Sequence, residues 1–166
     1  MPEGLFIVRV VAGALMAAHG SQKLFGWFGG YGLDGTGGFL ESLGFRPGRL
    51  FAAAAAFSES VGGLLIALGF LGPVGPALVL AVMIVAAVSV HWHNGLFATA
   101  NGIELPLLHG TIAVLLALSG PGAYSLDALF GLIPFWTPEL SWGALLVGVV
   151  GGVANLAARR PVPVEA

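Results

Sequence analysis

Five long runs of apolar side chains constrain this sequence more than any other feature. Each run approaches the roughly 20 residues that a helix needs to cross a bilayer. The runs cover about Leu5–Phe25, Leu50–Leu71, Ala77–Trp92, Pro106–Ser119 and Leu140–Ala158. Only 8% of the 166 residues are charged, too few to cover a globular surface with water-compatible side chains. Backbone groups in hydrocarbon must be satisfied internally, and the runs lack the alternation of barrel strands, so we predict an all-α membrane protein.

Glycine and proline signals separate these runs. The glycine- and aromatic-rich stretch Gly26–Gly44 is predicted to be a loop, and Gly72–Pro76 a tight turn. Residues 123–135 are apolar but broken by an acid, a glycine and a proline, which favours an interfacial segment. Thr137-Pro138-Glu139 is a helix-start signature, because it combines a capping hydroxyl with a proline at the first helical position.

The pattern predicts one membrane unit with three parts. Residues 1–127 are expected to form a four-helix transmembrane core. Residues 128–160 add the interfacial segment and a fifth transmembrane helix, and residues 161–166 are expected to be a disordered tail. The start of the chain lacks the positive segment of a signal peptide, so we expect the first apolar run to be retained.

Composition excludes several function classes. The net charge is −2 and the few charges form no basic face, so nucleic acid is not an expected partner. The chain has no cysteine, which excludes disulfides, iron–sulfur ligation and redox chemistry on its own thiols.

The positive charges predict an orientation. If all five runs span the bilayer, one side receives Lys23, Arg46, Arg49, Arg159 and Arg160, and the loops of the other side have no lysine or arginine. The positive-inside rule then places the first long loop and the C-terminus in the cytoplasm.

The protonatable side chains gather at that same end of the bundle. Glu59 lies about 13 Å below the membrane face that carries the long loops, at the rise of an α-helix. The candidate ligand-pocket residues are His19, Lys23, Glu59, His91, His93, Glu104 and His109. Ionisable groups inside spanning helices usually face an interior or a wet cavity. A buried carboxylate beside imidazoles can relay protons at neutral pH, so the sequence indicates a polar pocket there.

Three interpretations of Glu59 remain open. It is a structural acid paired with Lys23, Arg9 or a histidine, or part of a quinone, ligand or ion pocket, or a metal ligand. His91 and His93 are two residues apart rather than four on one helix face, a spacing that fits metal ligation poorly. We therefore predict no metal site, and no catalytic residue is assigned.

Two further patterns allow two interpretations each. Trp27, Phe28 and Tyr31 form either an aromatic belt at the membrane interface or a lid over the polar pocket. In the last helix, small residues repeat every four positions, which lets another helix approach closely. These residues, Ala144, Gly148 and Gly152, pack either inside the bundle or against a second copy of the chain.

Four motifs in chain order resemble the signatures of the DoxX family of membrane proteins. They are HGSQKLFG at residues 19–26, ESVGG followed by LG within residues 59–69, His91 followed by NGIEL at residues 101–105, and GPGAYSLD at residues 120–127. Together they cover about Arg9–Asp127. The copies of the signature residues in this chain are His19, Lys23, Glu59, His91, Glu104 and Asp127.

The resemblance implies a four-helix membrane core with the segment beyond Asp127 as an addition. DoxX-like proteins are linked to thiosulfate:quinone oxidoreductase subunits in sulfur-oxidising archaea. In actinobacteria they are linked to membrane assemblies that contain superoxide dismutase and a sulfurtransferase. The family is usually drawn with its N-terminus in the cytoplasm, opposite to the orientation that the charges indicate, and both orientations stay open here.

The leading functional prediction is an integral subunit of a quinone-linked oxidoreductase assembly in a bacterial or archaeal cytoplasmic membrane. Its partners would be lipids and redox subunits or a second copy, with quinone as ligand and no covalently bound cofactor. An alternative is an accessory subunit that docks through the fifth helix. A small transporter is a third prediction, against which the lack of an inverted repeat argues.

Overall fold

The computed structural model describes residues 2–160, and in this part of the chain every regular element is a helix. The predicted disordered tail, residues 161–166, lies outside the described residues. The helices are α1 (Pro2–Phe25), α2 (Gly32–Ser42), α3 (Gly48–Leu68), α4 (Val74–Ala86), α5 (Glu104–Ser119), α6 (Leu126–Leu129) and α7 (Pro138–Ala157). A π-helical turn, Ala87–His91, and a 3-10 turn, Trp92–Asn94, extend α4.

The prediction of an all-α membrane protein is confirmed. Four helices of the described chain are long and apolar enough to span a bilayer: α1, α3, α4 with its extension to Asn94, and α7. The remaining predicted span, α5, is apolar but has only 16 residues. At the rise of an α-helix it measures about 24 Å, shorter than its neighbours.

Glycines bring α1 and α3 into very close contact. A Cβ atom at Gly13 would lie 2.4 Å from the backbone nitrogen of Ala67, and one at Gly20 would lie 2.4 Å from that of Ser60. A Cβ at Gly63 would meet the α1 backbone at the same 2.4 Å. These separations are far below van der Waals contact, so only glycine fits, as expected for small residues at a membrane helix interface.

The core lies around α4, which packs against α3, α5 and α7. Its buried apolar cluster is Met16, Ile66, Val79, Val82, Met83, Ala113 and Leu116. These side chains come from α1, α3, α4 and α5, so the first four long helices form one packed unit. The last helix, α7, covers α4 on a further side.

The prediction that Gly26–Gly44 is a loop is wrong for its second half, which forms α2. Glycines lower the helix propensity of this stretch, but tertiary packing overrides that preference. A Cβ at Gly37 would lie 3.1 Å from the backbone nitrogen of Arg49. The Gly48 N–H donates to Glu41 Oε1 at 2.8 Å, which ties α2 to the start of α3.

The segment 123–135 contains only α6 and the single turn Ile133–Phe135, both far too short to span a bilayer. Ser125 caps α6 by accepting a hydrogen bond from the Ala128 N–H at 3.0 Å. The predicted start of the last helix is confirmed, since Thr137 is the N-cap of α7 and Pro138 follows it at the first helical position.

The C-terminal end of α7 returns to the loop between α2 and α3. The Arg160 N–H donates to the Gly44 carbonyl at 2.8 Å, and Arg159 Nε donates to the Leu43 carbonyl at 3.0 Å. The positive side chains that the sequence placed on one side therefore share one end of the bundle. We call this the α2 end, and the opposite end, which holds α6 and the start of α1, the α6 end.

Candidate functional site

A buried ion pair joins α1 to α3 near the α2 end. Lys23 Nζ donates to Glu59 Oε2 at 2.5 Å. The Glu59 side chain is 3% exposed and that of Lys23 is 30% exposed, so the lysine connects a buried acid to the surface. The sequence allowed Lys23, Arg9 or a histidine as the partner of Glu59, and in the structure the partner is Lys23.

The helix contact beside the pair explains why the two side chains meet. Gly20 lies one turn before Lys23 on α1, and it packs directly on the α3 backbone at Ser60, the residue after Glu59. Without a Cβ at Gly20, the helix axes approach closely enough for the ammonium to reach the carboxylate. Gly20 and Lys23, which lie in one sequence motif, therefore act together to form the ion pair with Glu59.

Lys23 also lines a groove of about 530 Å³ between the end of α1 and α2. The other lining residues are Gln22, Gly29, Gly30, Tyr31, Gly35, Thr36 and Phe39. The volume lies within the range of about 300–1,000 Å³ that is typical of small-molecule sites. One cationic donor among aromatic and small side chains is a lining that suits a flat, mostly apolar molecule with a hydrogen-bond acceptor.

The three residues of the aromatic cluster lie differently with respect to this groove. Tyr31 lines the groove and is highly exposed. Trp27 and Phe28 are exposed and do not line it. Trp27 stacks on Phe25 with ring centroids 4.8 Å apart, a position that suits an interfacial aromatic residue.

Two histidines form a separate pair between α1 and α5. The rings of His19 and His109 meet edge to face, with centroids 6.1 Å apart. His19 Nδ1 lies 3.1 Å from Gln22 Oε1, and His109 Nδ1 lies 2.9 Å from the Leu105 carbonyl of its own helix. Both rings therefore have partners other than Glu59.

The remaining predicted residues brace the connection between α4 and α5. His91 Nδ1 lies 2.7 Å from the Asn101 carbonyl, and Glu104 Oε2 accepts the Ala98 N–H at 2.7 Å. His93 is exposed. The contacts of His91 and Glu104 stabilise the loop between α4 and α5.

The predicted pocket set is thus divided into an ion pair, a histidine pair and a loop brace rather than joined in one cavity. Within residues 2–160, no histidine forms an ion pair with a carboxylate. The same residues contain no group of three or more histidine, aspartate and glutamate side chains that could hold a metal ion.

Sequence reasoning missed a second charged site, at the α6 end. Asp127 is fully buried, and its two carboxylate oxygens accept the N–H groups of Leu71 at 2.9 Å and Gly72 at 2.7 Å. Its own N–H donates to the Gly69 carbonyl at 3.0 Å. Asp127 therefore fastens α6 to the turn between α3 and α4.

Arg9 lies close to this acid and is 3% exposed. Its Nη2 donates to the Tyr124 carbonyl, and its guanidinium lies 5.7 Å from the centre of the Phe6 ring. The sequence did contain a signal for this site. Arg9 and Asp127 are isolated opposite charges in apolar segments at the same end, and buried charges in membrane helices generally need partners.

The small-residue face of α7 lies inside the bundle. A Cβ at Gly148 would lie 2.6 Å from the carbonyl oxygen of Ala77, and one at Gly152 would lie 2.9 Å from that of Ala81. Ala144 is half-buried one helical turn before them. This face is occupied by α4, so it is not available to a second copy, and removing α7 would strip α4 of its cover.

The bundle and its buried charges define a small, multi-pass helical membrane protein. The DoxX family model matches residues 4–92, from α1 to the end of the extended α4. The match covers more than half of the chain, and the protein belongs to the DoxX family. It includes Lys23 and Glu59 of the ion pair but not Asp127. Comparison with curated proteins and with solved structures gives no match.

Proposed function

We propose that this protein is the quinone-binding membrane subunit of an oxidoreductase assembly, and that the groove beside Lys23 receives the quinone ring. The observation that carries the proposal is the position of Lys23, which bonds a buried acid and lines the groove at the same time. This ligand site lies beside α2, whereas the pocket predicted from the sequence included the histidines.

The ammonium of Lys23 is suited to a quinone carbonyl. It has three N–H donors, of which one bonds Glu59, so the others are free to point at an acceptor in the groove. Glu59 fixes the ammonium at the groove wall. A quinone carbonyl oxygen is a neutral acceptor of the kind that such a fixed donor orients.

The apolar part of the lining suits the rest of the molecule. Tyr31 and Phe39 offer aromatic surface to a flat ring. The groove lies where α1 reaches the membrane face, so an isoprenoid tail could stay among the lipid chains. Reduction of the quinone takes up electrons and protons in equal number. The electrons would come from a redox centre on a partner subunit, and the protons from the exposed side of the groove.

Transport along the bundle is poorly supported. Gly13, Gly20 and Gly63 seal the contact between α1 and α3, with no room for even a methyl group. This close contact lies between the Lys23–Glu59 pair and Arg9, which argues against a water-filled path between α1 and α3.

Photoaffinity labelling with an azidoquinone tests the site on the full-length protein in mild detergent. Tyr31→Ala should lower the labelling several-fold, because this exposed side chain lines the groove and its removal leaves the fold intact. Trp27→Ala is the matched control, an exposed aromatic of the same loop outside the groove, and should leave the labelling unchanged.

Charge variants complete the test. Lys23→Met should abolish the specific labelling, which is the part that unlabelled quinone competes away, whereas Arg46→Met, which removes an exposed cation at the same end, should not. Equal labelling of the wild type, Tyr31→Ala and Lys23→Met would reject the groove as a quinone site.

We also propose that the α2 end faces the cytoplasm of a bacterial or archaeal cell, because the lysine and arginine residues near helix ends gather there. Since the chain has no cysteine, single-cysteine variants can report the orientation. Ser42→Cys and Ala158→Cys should resist an impermeant maleimide added to intact cells, while Ile133→Cys should react. The reverse pattern would establish the orientation that the family resemblance implied.

A further inference from the structure

The α6 end carries a second groove, of about 540 Å³, on the outside of the bundle. Its apolar walls include Phe6, Leu68 and Leu129, which are all exposed. The loop residue Tyr124 and the start of α6 close one side. Phe6 and Leu68 lie on helices long enough to span the bilayer, and exposed apolar side chains on such helices face acyl chains, so this groove opens to lipid.

A buried cation lines this groove. Among residues 2–160, the Arg9 guanidinium forms one hydrogen bond, to the Tyr124 carbonyl, while Nε and Nη1 are buried with no hydrogen-bond partner in this part of the chain. Asp127 attracts the guanidinium, but both of its carboxylate oxygens are already used by the Leu71 and Gly72 amides. Buried N–H groups without acceptors are costly, and a charged one especially so.

We propose that the Arg9 groove is a binding site for an anionic phospholipid, whose phosphate lies over the guanidinium and whose acyl chain lies against Phe6, Leu68 and Leu129. Arginine donors match phosphate oxygens in geometry and charge. Arg9 lies about 10 Å along α1 from the helix start, which is within reach of the headgroup region for a long side chain.

The occupant is a lipid rather than a soluble anion because of the groove walls. A free phosphate ion would gain nothing from the exposed apolar surface of the three wall residues. A lipid fills that surface and brings the acceptor oxygens with it. The site is independent of the quinone groove, which lies at the other end of α1.

Native mass spectrometry of the purified protein in mild detergent tests the proposal, with phosphatidylglycerol and phosphatidylcholine of identical acyl chains as probes. The wild type should retain phosphatidylglycerol about fivefold more than phosphatidylcholine, the size expected for one cation near a membrane surface. Arg9→Gln should remove this preference. Arg49→Gln, which removes an exposed cation at the α2 end, should keep it.

A wall variant keeps the test decisive if Arg9→Gln fails to fold. Leu129→Glu places a negative charge at the groove and should remove the preference, while Phe135→Glu, an exposed aromatic outside the groove, should preserve it. Equal retention of both lipids by the wild type would overturn the proposal. Displacement of the bound lipid by millimolar inorganic phosphate would show a soluble-anion site instead, and equal loss in both glutamate variants would show an unspecific lipid belt.

Discussion

The two ends of the bundle stabilise their buried charged side chains with different kinds of partner. At the α2 end, Lys23 is the only side chain of the described residues that bonds Glu59, and the Lys23 side chain is 30% exposed. At the α6 end, Asp127 is held by two backbone amides, and Arg9 meets a backbone carbonyl instead of forming a direct ion pair.

This difference separates a structural acid from one that can serve a ligand. Both carboxylate oxygens of Asp127 accept hydrogen bonds from backbone amides, so its role is to fasten the α3–α4 turn to α6. Glu59 binds a side chain that also lines a groove, so under the proposed function a ligand would bind Lys23 without breaking the backbone structure. The contrast predicts different costs when each group is removed.

The largest loss of stability is expected from Asp127→Ala. The substitution leaves two buried amides without acceptors and removes the negative charge near Arg9. We expect a loss of about 3–5 kcal/mol in the free energy of unfolding, because each buried amide left without an acceptor costs about 1–3 kcal/mol. Denaturant unfolding in detergent micelles measures it.

Asp34→Ala is the control for this change. Its pair with Arg49 is 3.4 Å long, and the two side chains are 85% and 74% exposed. The cost should be under about 1 kcal/mol. Similar losses for the two aspartates would contradict the structural role of Asp127.

The next effect should come from the ion pair, and it should be asymmetric. Lys23→Met leaves a buried carboxylate without its partner and should cost about 2–4 kcal/mol. Glu59→Gln should cost less, because the lysine can turn towards water. The double variant should be more stable than Lys23→Met alone, which a double-mutant cycle of unfolding measures. If the double variant loses as much free energy of unfolding as the two single variants together, Lys23 and Glu59 do not interact as a pair.

A smaller loss should follow from adding a methyl group between the two charged sites. In Gly63→Ala the new Cβ would lie 2.4 Å from the Ala17 backbone nitrogen, so α1 and α3 must separate. We expect about 1–3 kcal/mol from overpacking. In Gly143→Ala the Cβ meets nothing within 4 Å, so thermal unfolding should be almost unchanged. Equal melting temperatures for the two variants would show that the contact is not tight.

The smallest effect is expected from the histidines. His109→Ala removes the edge-to-face contact with His19 and should cost about 0.5–1.5 kcal/mol in stability, as for other aromatic pairs. Azidoquinone labelling should stay the same, because His109 does not line the groove. A loss of labelling as large as that of Lys23→Met would restore the single shared pocket that the sequence predicted.

Much of the fold could be predicted because a segment in hydrocarbon must be apolar and must satisfy its backbone hydrogen bonds internally. Apolar length predicted the four helices of the described chain that are long enough to span a bilayer, although it also predicted α5, which has only 16 residues. Thr137 with Pro138 marked the start of α7. The second half of Gly26–Gly44 could not be predicted as α2, because its glycines disfavour a helix and the packing of Gly37 against the start of α3 is a tertiary contact.

The candidate site was predicted in part. Lys23 and Glu59 were in the predicted set, and their shared end follows from counting residues along helices. Depth along a helix does not give the direction of a side chain, however, so counting could not separate this pair from His19 and His109. The Arg9–Asp127 site joins residues 118 positions apart, one on α1 and the other on the short helix α6, so no single helical period relates them.

The sequence by itself determined the solvent of this protein, its helical class and the end of the bundle where its positive charges gather. These properties depend on composition and on residue counts along single helices. Tertiary structure alone decided which buried charges pair and where grooves open. Those outcomes depend on the rotation of each helix about its axis, which glycine contacts between α1 and α3 and between α4 and α7 fix.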